Sequence, residues 1–168
     1  MSRVVILFAV AASLGATGVP PGGAQAAGLS SGGAAAAIAE RFDNLDFQHD
    51  IGDIDLNISG CINACGHHHI GNIGVLGVDK DGSEWYQVSI GGRQGNDSQV
   101  GKIIGPSFSA GQMPEVIGRL LEVYVRERHE DERFIDTFDR IGVEPFKTHV
   151  YATPIPGHAY QAGEDAYA

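Results

Sequence analysis

The sequence predicts an α+β fold, a small mixed or antiparallel sheet with helices packed on it. Three observations predict it. Ile54, Leu56 and Ile58 alternate with Asp55, Asn57 and Ser59, the pattern of a half-buried strand. Two further β-like runs, residues 73–78 and 85–90, flank Asp81-Gly82, a strong hairpin signal. Beyond them the period becomes helical: Val116, Ile117, Leu120, Leu121 and Tyr124 mark one apolar face, and Phe134, Phe138 and Ile141 a second.

Each element has its own justification. Residues 34–45 are Ala-rich, with Ile38, Phe42 and Leu45 at spacings that suit a short amphipathic helix. The strand through Ile58 runs directly into Gly60 and Cys61. Gly74 and Gly77 interrupt the second β-run, which implies either a bulge or the close approach of another backbone. Gly91-Gly92-Arg93-Gln94-Gly95-Asn96 is a loop with little steric bulk and several donors. Pro114 suits a first helical turn, and that helix should run to about Arg128. The next should stop at Gly142, a natural C-terminal cap. The organisation read from this is a lead over residues 1–37, a folded unit over 38–152 and a loose tail over 153–168.

A chain of 168 residues suffices for one domain with a real core. Its formal net charge of −10 argues against a nucleic-acid or anionic-membrane surface, while leaving room for a local site that takes a small anion. In the lead, Arg3 precedes an uncharged apolar run from Val4 to Leu14, and Ala24-Gln25-Ala26 resembles a signal cleavage site. The apolar run is too short for a comfortable membrane span. Two readings stay open: an export signal over residues 1–26, or a disordered or artefactual lead.

The two cysteines, Cys61 and Cys65, are too sparse for a disulfide scaffold. Flanked by Gly60 and Gly66 just past a strand end, they can turn toward one soft metal centre. On spacing alone they fit two inert buried thiols, a disulfide if the chain is exported, or half of a metal site. His67, His68 and His69 add donors, but consecutive side chains in an extended or turning segment cannot all point one way. Their role stays open between hydrogen bonding and ligation.

Taken together, the segment from Ile54 to about Tyr151 resembles the C-terminal region of nitrite/sulfite reductase hemoproteins. The resemblance is carried by Gly60-Cys-x-Asn-x-Cys-Gly66, by Ile73-Gly-Val-Leu-Gly77, by Tyr86-Gln-Val-Ser-Ile-Gly-Gly92 and by the terminal helices, in that order. It implies the C-terminal part of a siroheme reductase fold, and reduction of sulfite to sulfide or nitrite to ammonia at siroheme coupled to a [4Fe–4S] cluster. Carried over by position, Cys61 is a cluster ligand, and Cys65 both a ligand and the bridge to the siroheme iron. Asn63 would orient the loop or donate to the cofactor, and Gly91, Gly92 and Arg93 would receive a siroheme carboxylate. A ferredoxin or a flavoprotein would supply electrons, in the cytoplasm.

The family pattern also has an upstream cysteine pair and a large N-terminal region, and this sequence has neither. Two of four thiolates cannot hold a cubane in the usual way. The expectation is therefore an incomplete site that needs a complementary N-terminal chain. No catalytic residue is assigned within this chain, which is expected to be inactive in isolation. The alternative is a non-catalytic remnant or an exported Cys/His metal-binding module.

Overall fold

The computed structural model describes residues 6–9, 38–44, 49–80 and 82–156. Its strands are β1 (Ile6–Ala9), β2 (Leu56–Ser59), β3 (Ile73–Lys80), β4 (Ser83–Ile90), β5 (Lys102–Ile103) and β6 (Phe108–Ser109). Its helices are α1 (Met113–Glu127), α2 (Phe134–Ile141) and α3 (Glu144–Tyr151), preceded by helical residues 38–44. Among the described residues the strands form one mixed sheet in the order β1-β2-β3-β4-β5, with β6 also on β4. The pairs β1–β2 and β2–β3 are parallel and the others antiparallel, so the α+β expectation holds in its mixed form.

The hairpin forms where the turn signal lies. Lys80 pairs with Ser83 across a two-residue connection, and Gly82 takes the left-handed conformation (φ 76°) such a turn demands. Asp81 itself lies outside the described residues. The β3–β4 register runs without a bulge from Ile73↔Ile90 to the turn, so Gly74 and Gly77 answer to close approach. A Cβ at Gly74 would fall 2.0 Å from the His68 carbonyl oxygen, and one at Gly77 would fall 2.6 Å from that of Gly60.

One face of the sheet carries Leu56, Ile73, Val75, Tyr86, Val88 and Ile90 into the core. Helix α1 meets that core with Val116, Ile117, Leu120, Leu121 and Tyr124, at the spacing read from the sequence. Phe134 and Phe138 of α2 pack on Phe146 of α3, with ring centroids 5.6 and 6.2 Å apart. Helix α2 ends at Gly142 (φ 75°), as its cap role required. Helix α3 was not foreseen; its signals, Pro145 in the first turn and Phe146 four residues before Val150, are short and weak.

Several boundaries differ from the sequence reading, and β3 and β4 extend to Lys80 and Ser83 instead of residues 78 and 85. Strand β2 begins at Leu56 instead of Ile54, because the Asp55 N–H donates to the Asn72 side-chain oxygen (3.0 Å). The chain stays anchored beyond residue 152: Ile155 is buried, and its carbonyl accepts from Gln112 Nε2 at 3.1 Å. Ile6–Ala9, within the Ala/Gly-rich lead, form β1 with Ala9 opposite Ser59. The rest of the lead, with Ala24-Gln25-Ala26, lies outside the described residues. None of the described helices is long and apolar enough to cross a membrane.

Glu132 ties the helices together. Its carboxylate accepts from Arg140 Nε (2.9 Å), the His129 N–H (3.0 Å) and Thr137 Oγ1 (2.9 Å). Arg140 first, and then these hydrogen bonds, pull its pKa from 4.5 down to about 2. A depressed carboxylate stabilises the folded state above its unfolded pKa, and that contribution disappears as pH falls through the folded value. Glu132→Gln should therefore lower the thermal midpoint at pH 7, and the gap from wild type should close as pH falls from 4.5 toward 2. Thermal melts across that range check it.

Candidate metal centre

Residues 60–72 connect the parallel strands β2 and β3, so they must carry the chain back along the length of the sheet. Helices occupy the core face, and the connection crosses the other one. The positions beneath it are small or polar: Asn57 and Ser59 on β2, Gly74 on β3 and Ser89 on β4. Asn57 and Ser59 are 2% and 1% exposed, although strand alternation alone places them on a solvent face. The crossing segment buries them, and they in turn satisfy its backbone. Asn57 Nδ2 donates to the His67 carbonyl (3.0 Å), and Ser59 Oγ accepts the Gly66 N–H (3.2 Å).

The crossing begins with a tight reversal. The Ala64 N–H donates to the Cys61 carbonyl (3.1 Å), with Ala64 itself in the left-handed region at φ 53°. The His67 N–H donates to the Ala64 carbonyl (2.8 Å), and His67 is also left-handed at φ 50°. A single 3₁₀ turn over His68–Ile70 completes the crossing. Both thiols are therefore borne on a hydrogen-bonded turn just past β2; both are free, and both are exposed. Asn63, between them, is exposed as well.

The histidines diverge, as consecutive side chains must. His67 and His69 are exposed, while His68 is half-buried with Nδ1 3.0 Å from Ser59 Oγ. Burial, and then the neighbouring His69, lower the pKa of His68. Among the described residues no three His, Cys, Asp or Glu side chains gather in a group able to hold a metal ion. The Cys/His module therefore lacks a three-ligand set in this arrangement.

The Gly91-Gly92-Arg93 loop packs against the far end of the crossing segment. The Gly91 N–H donates to the Asn72 carbonyl (2.9 Å), and Asn72 Nδ2 donates to the Gly92 carbonyl (3.0 Å). Gly92 is so close that a Cβ would lie 2.5 Å from the Gly71 carbonyl oxygen. Arg93 is engaged within the chain: its guanidinium reaches Asp139 (2.6 Å), Gln99 (3.3 Å) and the Asp97 carbonyl (3.0 Å). Asn57, Ser59 and Asn72 are the residues sequence reasoning missed. Their one signal is that polar side chains on β2, and one before β3, bracket the cysteine segment.

Removing the Ser59 hydroxyl leaves the buried Gly66 N–H without its acceptor. Ser59→Ala should cost about 1–3 kcal/mol, read by urea denaturation, with faster amide exchange at Gly66.

Two exposed, soft thiols on a loop at the carboxyl end of a parallel strand, in a small α+β domain, are donors open to a metal or cluster. Residues 54–155 match the family described as nitrite and sulphite reductase 4Fe-4S domain, and the chain belongs to that family. A sulfite reductase [ferredoxin] of Mycobacterium tuberculosis is 33% identical over 103 residues, covering 58% of this chain and 18% of that protein. A sulfite reductase [NADPH] hemoprotein beta-component of Methylobacterium is 33% identical over 90 residues, covering 54% and 14%. An assimilatory ferredoxin-dependent nitrite reductase of Haloferax mediterranei is 26% identical over 117 residues, covering 67% and 20%. The solved structure of the Mycobacterium tuberculosis NirA protein superposes with a TM-score of 0.55 at 27% identity, covering 67% of this chain and 22% of that one. The match thus spans between about a seventh and about a fifth of the length of these relatives.

Proposed function

We propose that this chain is the [4Fe–4S]-holding part of an oxidoreductase that reduces sulfite or nitrite, with Cys61 and Cys65 as cluster ligands and Cys65 also facing a siroheme iron. The observation that supports it most is the pair of free, exposed thiols on one hydrogen-bonded turn, inside the matched family segment. Two soft thiolates suit iron of an iron–sulfur cluster better than any other donor in the segment. Bound there, the cluster would pass electrons to siroheme, where the anion is reduced. This chain's own residues do the positioning: Ser59 and Asn57 pin the turn, and Asn63 offers an exposed amide between the two thiols. Of Gly91, Gly92 and Arg93, the two glycines are buried, so the half-exposed Arg93 is the group that would meet a cofactor carboxylate, which would compete with Asp139 for its guanidinium.

The sequence holds two cysteines, so the other irons take ligands from outside it. On this reading the isolated chain does not turn over either anion. Electrons come from a ferredoxin-type donor, as suits the relatives named for ferredoxin, or from a flavoprotein, and the proposed location is the cytoplasm. Anaerobic reconstitution with iron and sulfide, followed by visible absorption and electron paramagnetic resonance, tests the reading. The expected result is an iron–sulfur spectrum that depends on both cysteines. A protein that retains no iron while both thiols stay titratable would overturn it.

A further inference from the structure

We infer that His68 is a positioning residue for the cysteine turn: its neutral imidazole accepts the Ser59 hydroxyl proton at Nδ1, which commits Ser59 Oγ to receive the Gly66 N–H beside Cys65. The hydrogen-bond chain stands on these atoms alone. Only its consequence for iron rests on the reading above that Cys65 binds the cluster.

The direction of the chain follows from counting protons. A serine hydroxyl has one proton to give and two lone pairs that accept. Ser59 Oγ accepts the Gly66 N–H (3.2 Å), and its other partner among the described residues is His68 Nδ1 at 3.0 Å. Ser59 is 1% exposed, and a buried hydroxyl proton left without an acceptor is costly. Were Nδ1 to carry a hydrogen, two donors would face one oxygen, and the hydroxyl proton would have no acceptor among the described residues. Nδ1 is therefore the acceptor, and the ring proton is on Nε2. Burial works against the imidazolium as well: desolvation, and then His69, lower the pKa of His68 below 6.5.

The backbone around His68 is fixed on both sides. Asn57 Nδ2 donates to the His67 carbonyl (3.0 Å), and the Gly101 N–H donates to the His69 carbonyl (2.8 Å). The His68 carbonyl lies so close over Gly74 that a Cβ there would fall 2.0 Å from its oxygen. His68 is the half-buried histidine of the three, and His69 meets its ring edge-on at 5.5 Å between centroids. A hydroxyl whose own proton is engaged is a better acceptor than one free to rotate, so the imidazole strengthens the hold on Gly66. Gly66 is the residue after Cys65, and the hold on it is a hold on the turn that bears the thiol.

Heteronuclear NMR of the full, iron-free chain tests this at neutral pH. His68 should show an unprotonated Nδ1 and a protonated Nε2. His68→Leu removes the acceptor and should lower the amide protection of Gly66 about tenfold. His68→Asn offers Oδ1 where the imidazole had Nδ1 and should restore most of that protection. Leu is nearer to His in bulk than Asn is, so a packing role would rank the two variants the other way. A ring proton on Nδ1, or Gly66 protection in His68→Leu that equals or exceeds that in His68→Asn, would overturn the inference. After anaerobic reconstitution, His68→Leu should lose iron to a chelator about tenfold faster than wild type, the low end for loss of an outer hydrogen-bond partner. Wild-type protein that holds no iron would sink the functional reading alone, since the NMR readouts use none.

Discussion

Cys65→Ser should leave the fold of this chain unchanged and remove its iron–sulfur chromophore. Cys65 is exposed and free, outside the buried core, so its loss should change stability by no more than about 0.5 kcal/mol. The effect on iron should be far larger. Removing a neighbour that merely orients a ligand costs about 10–100-fold in metal affinity, and removing the ligand should exceed that. Cys61→Ser should also lose the cluster, but the two should differ once siroheme is present. With siroheme bound, Cys65→Ser should abolish electronic coupling between the two centres, because the proposed shared sulfur is gone. Iron analysis, circular dichroism and the visible spectrum of the siroheme-loaded protein check these together. An unchanged spectrum in Cys65→Ser would remove the bridging role from that residue.

The second large effect is expected at Gly66, one residue beyond. A Cβ there would lie 2.0 Å from the Ile58 carbonyl oxygen and 2.7 Å from its carbon. Both are backbone atoms of β2, so no side chain can swing aside to relieve the clash. Gly66→Ala must instead lift the crossing segment from the sheet, breaking the Gly66 N–H contact to Ser59 Oγ. The cost should be about 1–3 kcal/mol from overpacking, with the lost hydrogen bond added to it. Retained iron should fall with it, because Cys65 is the adjacent residue. Gly60→Ala is the matched control: a Cβ there meets nothing within 4 Å, so its melting temperature should stay close to wild type.

Much of this architecture is legible in the sequence because it rests on local periodicity. The 3.6-residue pattern of Val116 to Tyr124 fixes α1, and Asp81-Gly82 between two β-runs fixes the hairpin. The cysteine turn is legible as well, since Gly60 and Gly66 leave it room. What the pattern cannot give is the far side of the sheet. Alternation along β2 sends Asn57 and Ser59 outward, and outward normally means into water. They are buried because residues 60–72 fold back over them, a non-local event that strand periodicity does not encode. Arg93 is a similar case. Its sequence neighbours suggest an open donor, but Asp139, far along the chain on α2, reaches it in space. Strand β1 was missed for another reason: its four residues sit in an apolar, Ala/Gly-rich lead whose composition suits several fates.

The cysteine turn is also the link between two parallel strands, and this sets when it can form. The β3–β4 hairpin closes across two residues, and α1 needs only its own turns, so both can arise early and locally. Strand β2 has no local route to β3; it must wait until the whole of residues 60–72 has been looped across a sheet that already exists. The turn that bears the thiols is consequently seated on the sheet only when this connection closes. Iron delivered before that closure meets two independent monodentate sulfurs, and iron delivered after it meets a preset pair. If the proposed cluster binds there, its loading is coupled to the closure of this one connection.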